Sequence, residues 1–493
     1  MKMMYDQEEV RRQRQKQNEP ETKPDKGKIP PKAKLVLMMV AILVVGVTAG
    51  YFMHGNLSGS NALDNGELSR FKSVYETIES QWVNTTDNPD LDLETAAIEG
   101  FLNNLGDPHT NYFTIEGAQA FTDSMSGSYA GIGVAYRPLS SGALVTEVYG
   151  ESPSAGILEM GDIIVAAEGH SLEGLTSEEM ANLIRGEAGT EITLTIKRDG
   201  KTMDVVITRQ NLDSSVSYSV DEVDGVTFGY MKITTFGDTT AETVKEGLES
   251  FKDQGIEQIV LDLRSNGGGY LTAVRDMLSY FIPEGELLFT LEEKSGPALE
   301  YTSDDSEKYT FRAGYVLVDS QTASASEVMA GCLQQKLGYQ LVGTTTYGKG
   351  TAQTQRVLTD MSSYKYTYAK WNLPDGTNIN GVGLTPDIAV ESAHLYDFMT
   401  FELSSPLQYD SVSTEVAYMQ MMLNTIGYDC GREDGYFSQE TETALRQFES
   451  DQGLSVDGAF SQEDNEILQA ALVLYLNNKN NDVVYQAAVE EMK

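Results

Sequence analysis

The sequence predicts a multidomain chain built on an α/β core. A β-rich domain precedes the core, a small α-helical module follows it, and an apolar span with a helical segment lies near the N-terminus. Three observations carry this prediction. Ile259–Leu263 (IVLDL) is a near-continuous apolar run leading into a glycine-rich turn and a helix, as expected of a strand buried on both faces. Ile192, Leu194 and Ile196 alternate, as do Val205 and Ile207, with Asp199-Gly200 placed to turn a hairpin between them. Asp434-Gly435-Tyr436-Phe437-Ser438 recurs as Asp457-Gly458-Ala459-Phe460-Ser461, each followed by a helical stretch.

From the N-terminus, residues 1–34 hold ten Lys/Arg against six Asp/Glu and read as a basic cytoplasmic tail. Leu35 to Met53 then runs 19 residues without a charge, enough at ~1.5 Å per residue for a bilayer core of ~30 Å. The excess of Lys/Arg before it predicts an uncleaved single-pass anchor, with the N-terminus cytoplasmic and the rest exported to the wall side. A cleaved signal peptide ending near Val47-Thr48-Ala49 is the alternative, and its apolar region would be unusually long. Residues 66–122 predict two amphipathic helices. One carries Leu68, Phe71, Val74, Ile78 and Trp82, the other Leu93, Ala97, Ile98, Phe101 and Leu105, and such stripes face a core or a second copy.

Residues 123–211 form the β-rich domain, interrupted by one helix whose start is marked by a Thr176/Glu179 capping box and whose apolar face is Met180, Leu183 and Ile184. Residues 212–396 alternate strands and helices and make up the α/β core. Residues 412–475 are the helical module. The net charge of −39 disfavours nucleic acid as a partner, because it repels phosphates. Two cysteines in different predicted domains, no CxxC and four histidines point to neither a disulfide framework nor a metal site, and no cofactor motif is present.

Chemistry concentrates between the strand Tyr315–Val318 and the helix after it, in Gln321-Thr322-Ala323-Ser324-Ala325-Ser326-Glu327. A serine there stands near a helix N-terminus, whose amides and dipole stabilise an oxyanion, although most serines in such turns merely cap the helix. A nucleophilic serine needs a base. His109, in Asp107-Pro108-His109, lacks a local orienting group and reads as structural. Lys349, between Gly348 and Gly350, serves if burial lowers its pKa, and the glycines would let the backbone carry it close to another segment.

The whole pattern resembles the carboxyl-terminal processing proteases, the Ser/Lys endopeptidases of peptidase family S41. LDLRSNGGGY (261–270), TASASE (322–327), TTYGKGTAQ (345–353) and PDGTNINGVGLTPD (374–387) are similar to that family's motifs. The resemblance implies a crotonase-like core with Ser324 as nucleophile, Lys349 as general base and Gln353 orienting the lysine. It also implies an oxyanion hole from the amides of Ala325 and one of Gly268-Gly269. Gly267 stands where the family has proline. The β-rich domain resembles the PDZ domain that this family inserts before its core. Tyr129-Ala130-Gly131-Ile132-Gly133 would be its carboxylate-binding loop for apolar C-terminal tails, held by strand addition. Arg185 matches an arginine that contacts the catalytic glutamine in switched-on family members. The last module resembles peptidoglycan-binding domain type 1, which implies tethering to the cell wall. Family precedent implies a homodimer through the N-terminal helices. The rival readings are a catalytically inactive PDZ and wall-binding scaffold and, more remotely, a crotonase-type acyl-CoA enzyme.

Overall fold

The computed structural model describes residues 68–85, 91–126, 128–149, 152–198, 200–213, 215–391 and 401–493. The apolar span 35–53 lies outside these residues. Among the described residues no helix is long and apolar enough to cross a membrane. The chain forms two compact units, 1–96 and 97–493, each described by itself.

In the first unit, helix α1 (Ser69–Gln81) has the predicted spacing, and Phe71, Val74 and Ile78 on it are exposed. Helix α2 (Leu93–Asn103) crosses the boundary between the units. On it Leu102 is buried, whereas Phe101 and Leu105 of the predicted stripe are exposed. Strand β1 (Asn111–Phe113) and helix α3 (Ile115–Ser126) follow, and Phe113 stacks on Phe121 at 5.1 Å between ring centroids.

The β-rich domain contains β2 (Ser128–Gly131), β3 (Val134–Leu139), β4 (Gly142–Val148), β5 (Ile163–Ala167), β6 (His170–Ser171), helix α4 (Ser177–Ile184), β7 (Glu191–Arg198), β8 (Lys201–Thr208) and β9 (Gln210–Asp213). The sheet runs β3-β4-β5-β7-β8, and β2 pairs separately with β9. Ile192, Leu194 and Ile196 point into its core as their alternation requires. The capping box at Thr176 forms, with Thr176 N–H donating to Glu179 Oε2 at 2.8 Å and Glu179 N–H donating to Thr176 Oγ1 at 3.3 Å.

The α/β core holds β10 (Val216–Val223), β11 (Val226–Ile233), α5 (Thr240–Asp253), β12 (Gln258–Asp262), α6 (Leu271–Ser279), β13 (Leu287–Glu293), β14 (Leu299–Thr302), β15 (Ala313–Val318), α7 (Ala325–Leu337), β16 (Gln340–Gly343), β17 (Thr351–Val357), β18 (Ser363–Asn372) and β19 (Ile388–Ala389). The main sheet is ordered β10-β11-β12-β15-β16-β19, parallel from β11 onward. The antiparallel hairpin β10–β11 closes on Asp224-Gly225, both with positive φ, the conformation a two-residue hairpin loop demands. A second, antiparallel sheet contains β1, β18, β13 and β14, with β17 also on β18. One face of the main sheet (Ile259, Leu261, Val316, Val318) packs on α5, α6, α7 and the second sheet.

The helical module is α8 (Thr414–Thr425), α9 (Gln439–Asp451) and α10 (Gln462–Asn477). Its internal repeat has a physical cause. Ser438 and Ser461 cap α9 and α10, and the preceding Phe437 and Phe460 are fully buried in the module core. Two features were invisible in the sequence. First, the module's core is continuous with the outer face of the β-rich domain through Leu139, Leu144 and Ile163, with Gln462 Nε2 donating to Ser140 Oγ at 2.9 Å. Second, a last helix, α11 (Val483–Glu491), returns to the α/β core. Its Val484, Tyr485, Ala488 and Val489 cover Phe228, Val260, Leu317 and Val342 on the sheet's other face. That cover is why IVLDL is apolar at consecutive positions. Cys332 and Cys430 are free and buried.

Phe460→Ala should cost ~3–5 kcal/mol in chemical unfolding monitored on the module, from lost burial and the cavity left. Ser461→Ala, which removes only a cap, should cost ~1 kcal/mol.

Candidate active site

The strand β15 delivers the chain to Ser324 at the start of α7. Ser324 has φ 58° and ψ −117°, a backbone conformation that an L-residue adopts only under strain and one that recurs at functional turns. Its own carbonyl receives the Glu327 N–H at 2.9 Å, and Ser324 with Glu327 makes the capping box that opens α7.

Glu327, one turn into α7, is fully buried. Its Oε2 accepts from the N–H of Ser324 (2.8 Å) and of Lys349 (2.9 Å). Its Oε1 accepts from the Gly348 N–H (2.7 Å) and the Thr346 hydroxyl (2.6 Å). One carboxylate thus fastens the serine turn to the lysine loop. The sequence showed a glutamate at a capping position and gave no sign that it would be buried against four donors.

The glycines flanking Lys349 permit the close approach expected of them, and the segment they meet is 378–383. A Cβ on Gly348 would stand 2.7 Å from the Gly383 nitrogen, and one on Gly350 2.7 Å from the Asn380 nitrogen. Gly381 N–H donates to the Gly348 carbonyl at 2.8 Å, and the Asn378 amide donates to that of Gly350 at 3.0 Å. Burial lowers the Lys349 pKa and the nearby Lys365 ammonium lowers it further, against opposing pulls from Glu327 and Asp107. Lys365, on β18, is half-buried, its Nζ 4.7 Å from the Phe121 ring centroid; burial lowers its own pKa too. His109 comes nearer than its sequence position suggested. Its ring centroid is 6.5 Å from that of Tyr347. Burial and the Lys349 charge hold its pKa below the usual value, with Asp107 opposing.

Gln353 lies on β17, and its Nε2 donates to the hydroxyls of Thr351 (3.0 Å) and Thr367 (3.2 Å). Neither hydrogen bond reaches Lys349 or Arg185. The glycine loop sits directly against the serine: a Cβ on Gly268 would stand 2.9 Å from both Ser324 Cβ and the Ala323 carbonyl oxygen. The Gly268 N–H donates to Asn266 Oδ1 at 2.9 Å, so of the expected pair Gly268-Gly269 the Gly268 amide is already engaged. The amides of Ala325, Gly267 and Gly269 have no acceptor among the described residues. Gly267 has negative φ and open space at its Cβ position, so nothing there demands glycine. Asn266 was also missed. Its carbonyl accepts from Ala323 N–H (3.0 Å) and Ser326 Oγ (2.9 Å), tying the glycine loop to the serine turn.

In the β-rich domain, the backbone of Tyr129, Ala130 and Gly131 is paired to β9. The carbonyls of Ile132 and Gly133 accept from Ser154 and Tyr149, and their amides have no acceptor among the described residues. Arg185 ends α4 and acts electrostatically on the Tyr136 hydroxyl of β3, across the cleft between helix and strand.

Residues 227–390 match peptidase family S41, 130–208 match the PDZ domain, and 412–468 match the peptidoglycan binding domain. The carboxy-terminal processing protease CtpB of Bacillus subtilis is 31% identical over 430 residues, covering 86% of this chain and 89% of that protein. The chain belongs to peptidase family S41. It is a serine-type endopeptidase of the carboxy-terminal processing kind. A "Probable CtpA-like serine protease" of Staphylococcus saprophyticus is likewise 31% identical, over 453 residues, covering 90% of this peptidase and 91% of the relative. Among solved structures, a photosystem II D1 C-terminal processing protease aligns at 24% identity and TM-score 0.40, covering 65% of this peptidase and 92% of that chain.

Glu327→Gln tests the fastening in this peptidase. Whichever way the amide is turned, its NH2 faces at least one backbone N–H. The substitution should lower unfolding free energy by ~1–3 kcal/mol per orphaned donor and turnover by at least about tenfold, read by calorimetry and a peptidase assay.

Proposed function

We propose that this peptidase cleaves proteins near their C-termini through an acyl-enzyme, with Ser324 as nucleophile and Lys349 as general base. The observation that supports this reading is the single Glu327 oxygen that holds the Ser324 and Lys349 backbones together. Neutral Lys349 takes the Ser324 proton as Oγ attacks the scissile carbonyl. The amides of Ala325 and of the 267–269 loop stabilise the oxyanion, Gly269 in preference to Gly268. The lysine ammonium then protonates the leaving amine. It acts as base again when water attacks the acyl-enzyme.

The PDZ domain would hold apolar C-terminal tails, their carboxylate on the Ile132 and Gly133 amides. Gln353, now bonded to two threonines, would turn to orient Lys349 when tail binding brings Arg185 to it. The ligand's preference for that arrangement must supply the shift. The apolar span 35–53 would anchor the chain in the membrane with the catalytic part outside, the last module would bind peptidoglycan, and the exposed stripe of α1 would pair two copies.

Ser324→Ala and Lys349→Ala should each abolish cleavage of an unstructured protein while the fold persists, and His109→Ala should retain most activity. Loss of activity at His109 with Lys349→Ala still active would overturn the assignment.

The base must be neutral, so kcat/KM should rise as pH climbs through the depressed Lys349 pKa. Lys365→Met removes a cation that lowers this pKa and should move the rising limb to higher pH. A profile flat from about pH 5 to 9 would count against a lysine base.

A further inference from the structure

Beyond the protease and module regions, the chain ends in a segment that no family match covers, residues 478–493. It joins the wall-binding module, the PDZ domain and the protease core. Just before it, at the end of α10, Asn477 Nδ2 donates to the Thr146 carbonyl of the PDZ strand β4 at 2.9 Å. Next, Lys479 Nζ donates to Asp221 Oδ2 on β10 at 2.6 Å and lies 3.8 Å from the Tyr230 ring centroid. Then comes Asp482. At its end, the Glu491 carbonyl accepts from the Tyr315 hydroxyl at 2.8 Å.

Asp482 reaches the root of the glycine loop. Arg264 precedes Ser265-Asn266-Gly267-Gly268-Gly269. Its Nη1 and Nη2 donate to Asp482 Oδ1 (2.9 Å) and Oδ2 (2.7 Å), and its Nε and Nη2 donate to Asp262 Oδ1 (2.9 Å) and Oδ2 (2.6 Å). Asp262 is buried and also accepts from the Tyr230 hydroxyl at 2.8 Å. The guanidinium is thus forked between two carboxylates. A planar group bonded at two edges is restrained in orientation, and the Arg264 N–H also donates to Asp262 Oδ1 at 3.1 Å, which ties the backbone there to the same carboxylate.

We propose that Asp482 is a positioning residue for catalysis: through Arg264 it holds the 265–269 loop that lies against Ser324. This rests on the reading of that loop as part of the oxyanion site. The same aspartate caps α11, its Oδ1 accepting from the N–H of Val484 (3.1 Å) and Tyr485 (3.0 Å). Docking of the C-terminal helix and alignment of the loop therefore meet in one side chain. The peptidase reaches its catalytic geometry only when its own C-terminal segment is seated on the core.

The two duties are separable. In Asp482→Asn the side-chain oxygen still caps α11, because asparagine caps as well as aspartate, while the charge and the second acceptor for Arg264 are lost. Val489→Ala loosens the helix on the sheet without touching the clamp. Both are made in the full chain. Turnover of an unstructured protein, affinity for a peptide aldehyde and melting temperature are measured for each. The aldehyde adds to the serine and needs the oxyanion amides, so its affinity reports loop alignment apart from substrate binding. Asp482→Asn should lower kcat and aldehyde affinity together by at least about tenfold, with KM within about twofold. Val489→Ala should lower the melting temperature and leave kcat and aldehyde affinity near wild type. The proposal is overturned if Asp482→Asn keeps both, or if both variants lose them in proportion to lost stability. If the wild-type enzyme itself fails to bind the aldehyde through Ser324, the underlying oxyanion reading falls with it.

Discussion

The site depends on one buried carboxylate. Glu327 accepts four hydrogen bonds with no exposure to solvent. An isolated buried charge would be intolerable, and four converging donors make it a clamp. The serine turn comes from the end of a parallel strand and the lysine loop from an irregular excursion 22 residues beyond Glu327. Without a shared acceptor, two such segments would keep no common register. The same carboxylate opposes the lowering of the Lys349 pKa, so the fastening has a cost. Burial of the amine and the second cation, Lys365, outweigh it.

The packing outside the site carries this logic further. The PDZ domain and the C-terminal helical module share one apolar core, across Leu139, Leu144 and Ile163. Lys232 on β11 pairs with Glu147 on the PDZ strand β4 at 2.8 Å, and Lys479 pairs with Asp221 on β10 at 2.6 Å. The PDZ domain, the C-terminal helical module and the segment that reaches Arg264 are therefore neighbouring elements of one packed arrangement.

Much of this was legible in the residues because local chemistry dictated it. The apolar run at 259–263, the alternation at 192–196, the capping box at Thr176 and the repeated Gly-x-Phe-Ser turns each impose one conformation on the backbone. The motifs around Ser324, Gly267–Gly269 and Lys349 named the family. What stayed hidden was non-local. Nothing near residue 327 announces that its glutamate will be enclosed by a loop beyond residue 345. Nothing near Asp482 announces a partner at Arg264. Amphipathic spacing identifies α2 as a helix without saying which of its positions neighbours cover, and a run of three glycines does not say that the Asn266 side chain will take the Gly268 amide.

The proposed mechanism requires that burial and the Lys365 cation lower the Lys349 pKa enough for the neutral amine to serve Ser324 as base. The most direct measurement is an NMR titration of the Lys349 side-chain nitrogen in Ser324→Ala protein with isotope-labelled lysine, assigned by comparison with Lys349→Met. The account predicts a pKa clearly below the ordinary lysine value of ~10.4. A Lys349 that titrates at or above that value would contradict it.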